Sequence, residues 1–263
     1  MTDAAAIREH WNQRAALGET AGTQDLILKE LEQRAILGEI DPRRFEPRAD
    51  ATRWQPRNIL EIGCGLGQLA GMVASKAPSA QVWAIDTAES MIEGALRIGV
   101  QNVTFRPGDV FSLPDHVTFD LIYTERCLIN LGTWAAQKAT IDAISAKLVD
   151  GGSFIMCEHS QDGLDAINEA RAAWNRPAIE PPWHNRYFRQ VELNTITSLT
   201  FVKMVPFSAT YYFLSRVLND KLAEEQGLVP SYDARINKLA LRLPHTCVDS
   251  RFAQGRLWCW EKR

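Results

Sequence analysis

From Asn58 onward the chain alternates short apolar runs rich in Ile and Val with stretches whose apolar residues recur every three or four positions. The runs NILEIG, QVWAID, VTFRPGDV, FDLIYTE and GSFIMCE read as strands, and GQLAGMVASKA, ESMIEGALRIG and TWAAQKATIDAISAKLV as the helices between them. Such alternation predicts a parallel sheet covered on both faces. Ahead of it, DAAAIREHWNQRAALGE and TQDLILKELEQRAILGEI read as two helices joined near Ala21 and Gly22, followed by a Pro/Arg-rich connector, DPRRFEPRADATRWQPR. After Ser160 the register loosens. HNRYFRQVELNTITSL reads as a helix, TFVKMVPFS as a strand, YYFLSRVLNDKLAEEQGL and YDARINKLALRLP as a helical insertion, and GRLWCWEKR as a last strand.

Composition narrows the class. With 263 residues, 46% hydrophobic and 23% charged, the chain fits one large globular domain. A net charge of −3 gives no global attraction for nucleic acid or an anionic membrane. No apolar run approaches the roughly 20 residues that span a bilayer, and the first residues are too charged for a signal peptide, so a cytoplasmic protein is expected. The five cysteines, Cys64, Cys127, Cys157, Cys247 and Cys259, lack metal-ligand spacing and read as reduced, mostly buried small hydrophobes. No metal is expected.

Between the first strand and helix lies EIGCGLG, with Gly63, Gly65 and Gly67 at alternate positions. Glycine there lets the backbone approach a ligand, since no Cβ intervenes and positive φ costs little. The G-x-G-x-G spacing is neither the dinucleotide G-x-G-x-x-G nor a P-loop, which needs Lys-Ser/Thr. Asp86, nineteen residues after Gly67, ends the second strand, where a carboxylate accepts hydrogen bonds from both hydroxyls of a ribose. Asp109, ending the third, can receive an exocyclic amine such as adenine N6. Together they outline an adenosine.

The ordered set Glu61 to Gly67, Asp86, Gly108-Asp109-Val110, FDLIYTE and LVDGGSFIMCE resembles the motifs of class I S-adenosylmethionine-dependent methyltransferases. The resemblance covers Asn58 to Glu158. It implies a Rossmann-like, seven-stranded, mostly parallel α/β sheet with its last strand antiparallel. It also implies Gly63 and Gly65 under the methionine part of the cofactor, Glu61 near its amino end, and Asp109 and Val110 around adenine. Cys64 within the loop, and Thr87 and Met91 after Asp86, are grouped with these contacts. HWNQRAALGETAGTQD, YTERCLINL and PPWHNRYF further resemble a bacterial subgroup that includes enzymes of surface glycan or small-metabolite modification.

The acceptor side should lie at the strand ends and in the segments folding over them. Glu125 and Arg126, after the fourth strand, either face the cleft or form a salt bridge at a helix start; Glu125 is assigned to catalysis and the cofactor, Arg126 to substrate. Glu158, after the fifth strand, is a substrate contact. In PPWHNRYF, His184 is a candidate base with Tyr187 beside it, and Trp183 and Asn185 are substrate contacts; the alternative is a packing loop. Tyr211 and Arg216 fall at helical spacing, as core or as a clamp on an anionic substrate group. Trp11, Arg14 and Thr23 close over the cofactor, Arg14 on its carboxylate or as a solvated charge.

The expected organisation is a single methyltransferase domain over 1–263. It comprises a helical lid over 1–45, a cofactor core over 58–160, and a substrate-side half over 161–263 with its insertion at about 208–245. The expected reaction is methyl transfer to a small polar, anionic metabolite or sugar derivative on oxygen. A nitrogen-directed enzyme and a non-catalytic adenosyl-binding regulator are the alternatives. The expected partner is a small-molecule acceptor, with neither nucleic acid nor membrane, and a homodimer is left open.

Overall fold

The computed structural model describes residues 4–45 and 57–263. Seven strands form one sheet in the order β3-β2-β1-β4-β5-β7-β6. They are β1 (Asn58–Ile62), β2 (Gln81–Asp86), β3 (Val103–Pro107), β4 (Phe119–Glu125), β5 (Leu148–His159), β6 (Thr200–Val205) and β7 (Gly255–Glu261). β7 runs antiparallel to both of its neighbours, while β1 to β5 pair in parallel. β1 to β5 form the parallel sheet that the strand-helix alternation predicts, and β7 is the antiparallel last strand that the family resemblance implies.

The helices are α1 (Ala4–Arg14), α2 (Leu26–Glu39), α3 (Gln68–Lys76), α4 (Glu89–Ala95), α5 (Trp134–Lys147), α6 (Gln161–Ala172), α7 (Gln190–Leu193), α8 (Ala209–Tyr212), α9 (Asn219–Glu225) and α10 (Arg235–Ala240). A π-helical stretch, Phe213–Leu218, joins α8 to α9. Two cores lie on the two sheet faces, one containing Ile62, Phe119, Ile144 and Trp258, the other Ile59, Val73, Val82 and Tyr123. Strands covered on both faces read as near-continuous apolar runs, and β1 is buried from Ile59 to Ile62. Each fully buried aliphatic side chain of this kind stabilises the fold by about 1.5–3 kcal/mol.

Three expectations need correction. HNRYFRQVELNTITSL is mostly extended chain rather than helix, with only α7 helical. The Phe188 amide donates to the His159 carbonyl and the Gln161 amide to the Phe188 carbonyl, so pairing with the end of β5 overrides local propensity. α6 begins where the register had seemed loose; its start is fixed by Ser160, whose hydroxyl accepts from the Gly163 amide. Cys247 is exposed rather than buried. The connector expected over 41–57 forms a short 3₁₀ turn at Pro42–Phe45, and its residues 46–56 lie outside the described part of the chain. No described helix is long and apolar enough to cross a membrane.

Candidate active site

At the carboxyl ends of β1, β2 and β4 a cavity of about 650 Å³ opens beneath α1. That size lies within the range of about 300–1,000 Å³ usual for small-molecule sites. Its floor is the glycine loop, whose form follows from two positions. Gly63 has φ of +75°, and a Cβ there would come within 2.4 Å of the Cys127 sulfur. Gly65, with φ of +51°, would point a Cβ into open space. The first glycine is required by packing inside the protein, the second by conformation at the cavity wall.

Asp86 ends β2 against this loop. Its Oδ2 accepts from the Gly65 amide at 2.8 Å and its Oδ1 from the Ala88 amide at 2.9 Å, while burial raises its pKa. Asp109 ends the segment after β3, and its Oδ1 accepts from the amides of Phe111 and Ser112 at 3.0 Å each. Both amides use the same oxygen, so Oδ2 is not engaged by them. Asp86, Thr87, Met91, Asp109 and Val110 all line the cavity, as do Gly63, Cys64, Gly65 and, from α1, Trp11.

Opposite the loop, α2 presents Lys29 and Gln33 to the cavity, where they meet Glu125 and Arg126 from the end of β4. Consecutive strand residues send side chains to opposite faces. Arg126 has φ of +49°, which breaks that alternation and lets both it and Glu125 reach the same space. Arg126 Nε lies 2.9 Å from Glu32 Oε2, and Nη1 donates to the Gly22 carbonyl at 3.3 Å. Burial, reinforced by the Glu32 carboxylate, pushes the Glu125 pKa up to about 7, and Glu125 Oε1 has no hydrogen-bond partner.

Several expected site residues do other work. Arg14 donates to the carbonyls of Ala21 and Thr20 and closes the turn after α1. Thr23 Oγ1 accepts from the Asp25 amide at 3.0 Å, just before α2. Glu61 is buried on β1 and accepts from the Tyr123 hydroxyl at 3.1 Å, outside the cavity lining; burial holds its pKa well above the ordinary value. Glu158 is wholly buried and accepts from the amides of Cys127, Leu128 and Ile129 at 3.0, 2.9 and 3.2 Å. It shapes the loop after β4 and contacts nothing in the cavity.

His184 does not line the cavity either. It stacks at 4.7 Å on His10 of α1, with Trp11 and Trp183 at 5.5 and 5.3 Å, and burial with help from His10 lowers its pKa to about 4. Trp183 is largely exposed and rests edge-on against His10. Tyr187 is buried against His159, and burial raises its pKa. The Asn185 backbone amide closes a turn on the Pro182 carbonyl. Tyr211 donates to Asp25 Oδ1 at 2.6 Å, and Arg216 pairs with Asp25 Oδ2. Both are committed to an internal network, so the clamp on a substrate anion falls away.

The residues the sequence reading missed are Arg8, Lys29 and Gln33 at the cavity and Glu32 behind it. A signal for Glu32 was present. Leu28, Glu32 and Ile36 are four apart on the buried stripe of α2, and a carboxylate in an apolar stripe needs a partner.

A family model described as a methyltransferase domain matches residues 56–197, more than half of the chain. The chain belongs to this family of S-adenosylmethionine-dependent methyltransferases. Among curated relatives, this methyltransferase is 26% identical to malonyl-[acyl-carrier protein] O-methyltransferase of Paenibacillus sp. (strain JDR-2) over 68% of this chain and 64% of that protein. It is 30% identical to trans-aconitate 2-methyltransferase of Methylobacterium radiotolerans over 33% and 31% of the two chains. It thus spans less than two thirds of the length of these relatives. Two solved structures share the fold. One is from the complex of the Haloferax volcanii Trm112 methyltransferase activator with a putative methyltransferase, at TM-score 0.60, 12% identity and coverage of 96% and 97%. The other is the plantazolicin methyltransferase BpumL, at 0.52, 15%, and 98% and 90%.

The residues present fit the cofactor of the family. Gly65 leaves open the volume a side chain would fill, and Asp86 and Asp109 bring carboxylates to the same cavity at the ends of adjacent strands.

Proposed function

We propose that this methyltransferase transfers a methyl group to an oxygen of a small polar acceptor, with Glu125 accepting the acceptor's proton. Gly63, Cys64 and Gly65 would carry the methionine end of the cofactor, Asp86 the ribose hydroxyls, with Thr87 and Met91 beside them, and Asp109 and Val110 the adenine. Trp11 covers it from the lid. Bound there, S-adenosylmethionine supplies an electrophilic methyl group on a sulfonium sulfur.

The observation that carries the reading is Glu125: a cavity-lining carboxylate with an unpartnered Oε1 and a pKa raised to about 7, matched to base catalysis near neutral pH. As the acceptor hydroxyl becomes an ether, its proton passes to the Glu125 carboxylate. Lys29 and Arg126 orient an anionic group on the acceptor and offset the charge developing on its oxygen. Because Glu125 must be ionised, kcat/KM rises with pH through about 7. In Glu125→Gln the rate falls about 10²- to 10⁴-fold and the rise disappears. Full activity with an intact pH profile in that variant would remove Glu125 from the chemistry.

The names of the curated relatives favour a second reading, a carboxylate acceptor. A carboxylate is already ionised at neutral pH and needs no base. Dicarboxylic acids and their thioesters methylated equally by the wild type and Glu125→Gln would select it over a hydroxyl acceptor.

A further inference from the structure

α2 carries Lys29, Glu32 and Gln33 at spacings of three and four, which places them along one side of the helix. That side meets the bent end of β4. Lys29 and Gln33 face the cavity, where they lie beside Glu125. Glu32, fully buried behind them, pairs with Arg126, and its Oε1 lies 3.5 Å from His159 Nε2. The titratable groups near Glu32 are Asp25, which caps α2, Lys29 on α2, Glu125 and Arg126 at the end of β4, Cys157 and His159 on β5, and Tyr212 on α8, with Arg216 of the π-helical stretch paired to Asp25.

Lys29, Arg126 and Arg216 thus stand among Asp25, Glu32 and Glu125. His159 adds no charge near neutral pH, since burial, with Arg126 and Arg216 nearby, lowers its pKa to about 3. Two buried carboxylates that share the field of a single guanidinium resist ionising together.

We propose that Glu32 is a positioning residue that holds one proton in common with Glu125, so that a carboxylate outside the cavity decides when the one inside can accept a proton. The inference rests on the reading of Glu125 as the base. With that proton in place the cluster carries one unit of positive charge, a setting that draws an anionic acceptor toward Lys29 and Arg126. Glu125 takes the proton of the acceptor hydroxyl while the shared proton rests on Glu32; both carboxyls are then protonated, and one proton leaves to solvent to restore the shared state. Burial raises both pKa values, with the Glu32 charge adding to it at Glu125 and the Asp25 charge adding to it at Glu32, the direction this sharing requires.

The test uses the full chain with ¹³C-carboxyl-labelled glutamate, titrated by NMR without cofactor or acceptor. In Glu32→Gln the Glu125 midpoint should fall by about one unit, because the neighbouring negative charge is gone and Arg126 is released toward Glu125. In Glu125→Gln the Glu32 midpoint should fall likewise, and this reciprocal titration decides the matter should Glu32→Gln fail to fold. Midpoints that stay in place in both variants would overturn the proposal and leave Glu32 as an anchor for Arg126. In the loaded enzyme the acid limb of kcat/KM should move down with the titration in Glu32→Gln, and Glu32→Asp should restore most of it. If the titrations move and the rate profile does not, the shared proton stands and Glu125 is not the base.

Discussion

The two walls of the cavity are built on different principles. On the glycine-loop wall, carboxylates are held by backbone: Asp86 by the amides of Gly65 and Ala88, and Asp109 by those of Phe111 and Ser112. On the α2 wall, side chains hold side chains: Glu32 on Arg126 and His159, with Asp25 on Tyr211 and Arg216 close by. A backbone amide keeps its place whatever residue bears it, so the first wall is rigid and tolerant of its neighbours. The second depends on each member, since removing one partner leaves a buried charge uncompensated.

That contrast can be broken most severely at Arg216. Replacing it by Met strands the Asp25 carboxylate, which is 2% exposed, and should cost about 3–5 kcal/mol in chemical denaturation. Combining it with Asp25→Asn should recover much of the loss. A mild effect of Arg216→Met alone would mean that the pair is solvated and that the two walls differ less than their geometry suggests.

Next in size come the glycines. Gly63→Ala forces a Cβ onto the Cys127 sulfur at a positive φ and should destabilise the protein by about 3 kcal/mol. Gly65→Ala meets no atom within 4 Å, so its cost in stability should be about 1 kcal/mol, while calorimetric affinity for S-adenosylmethionine drops by more than tenfold. Equal loss of stability in the two variants would show that the loop, rather than the cavity, sets the requirement at both positions.

The smallest expected effect is at His184. Its clasp with His10 favours the neutral ring, so docking of α1 should be fully present above about pH 6.5 and weaken as pH falls toward 4, where the docked ring protonates. His184→Ala should lengthen no catalytic step and should reduce cofactor retention at neutral pH about twofold, an effect of some 0.4 kcal/mol, while removing the acid-side decline. A large loss of turnover at unchanged cofactor affinity would return His184 to the chemistry.

Legibility in the sequence follows the same division. The sheet, the glycine loop, Asp86 and Asp109 were readable because each is specified within about thirty residues by period, spacing and strand ends. Arg216 reads as part of a helix core or as a clamp on a substrate anion until folding brings Asp25, from the start of α2, against it. Glu158 looks like a cleft residue from its position at the end of β5, yet three amides after β4 claim it. His184 carries the chemistry of a base, and only its neighbours on α1 show it is packed elsewhere. Pairings between distant segments leave no periodic trace, whereas a polar residue in an apolar stripe, as at Glu32, does leave one.

α1 has no buried residue; its moorings include Asn12 Oδ1 accepting from the Ser90 amide, Trp11 against Ala88 and Met91, and the histidine clasp. A segment held so lightly opens by local fluctuation long before the sheet does. On the proposed reading, the residence time of a cofactor beneath it is set by these eleven residues and not by the domain. Amide exchange along α1, far faster than in β1 or β4, would be the clock that times each exchange of spent for fresh cofactor.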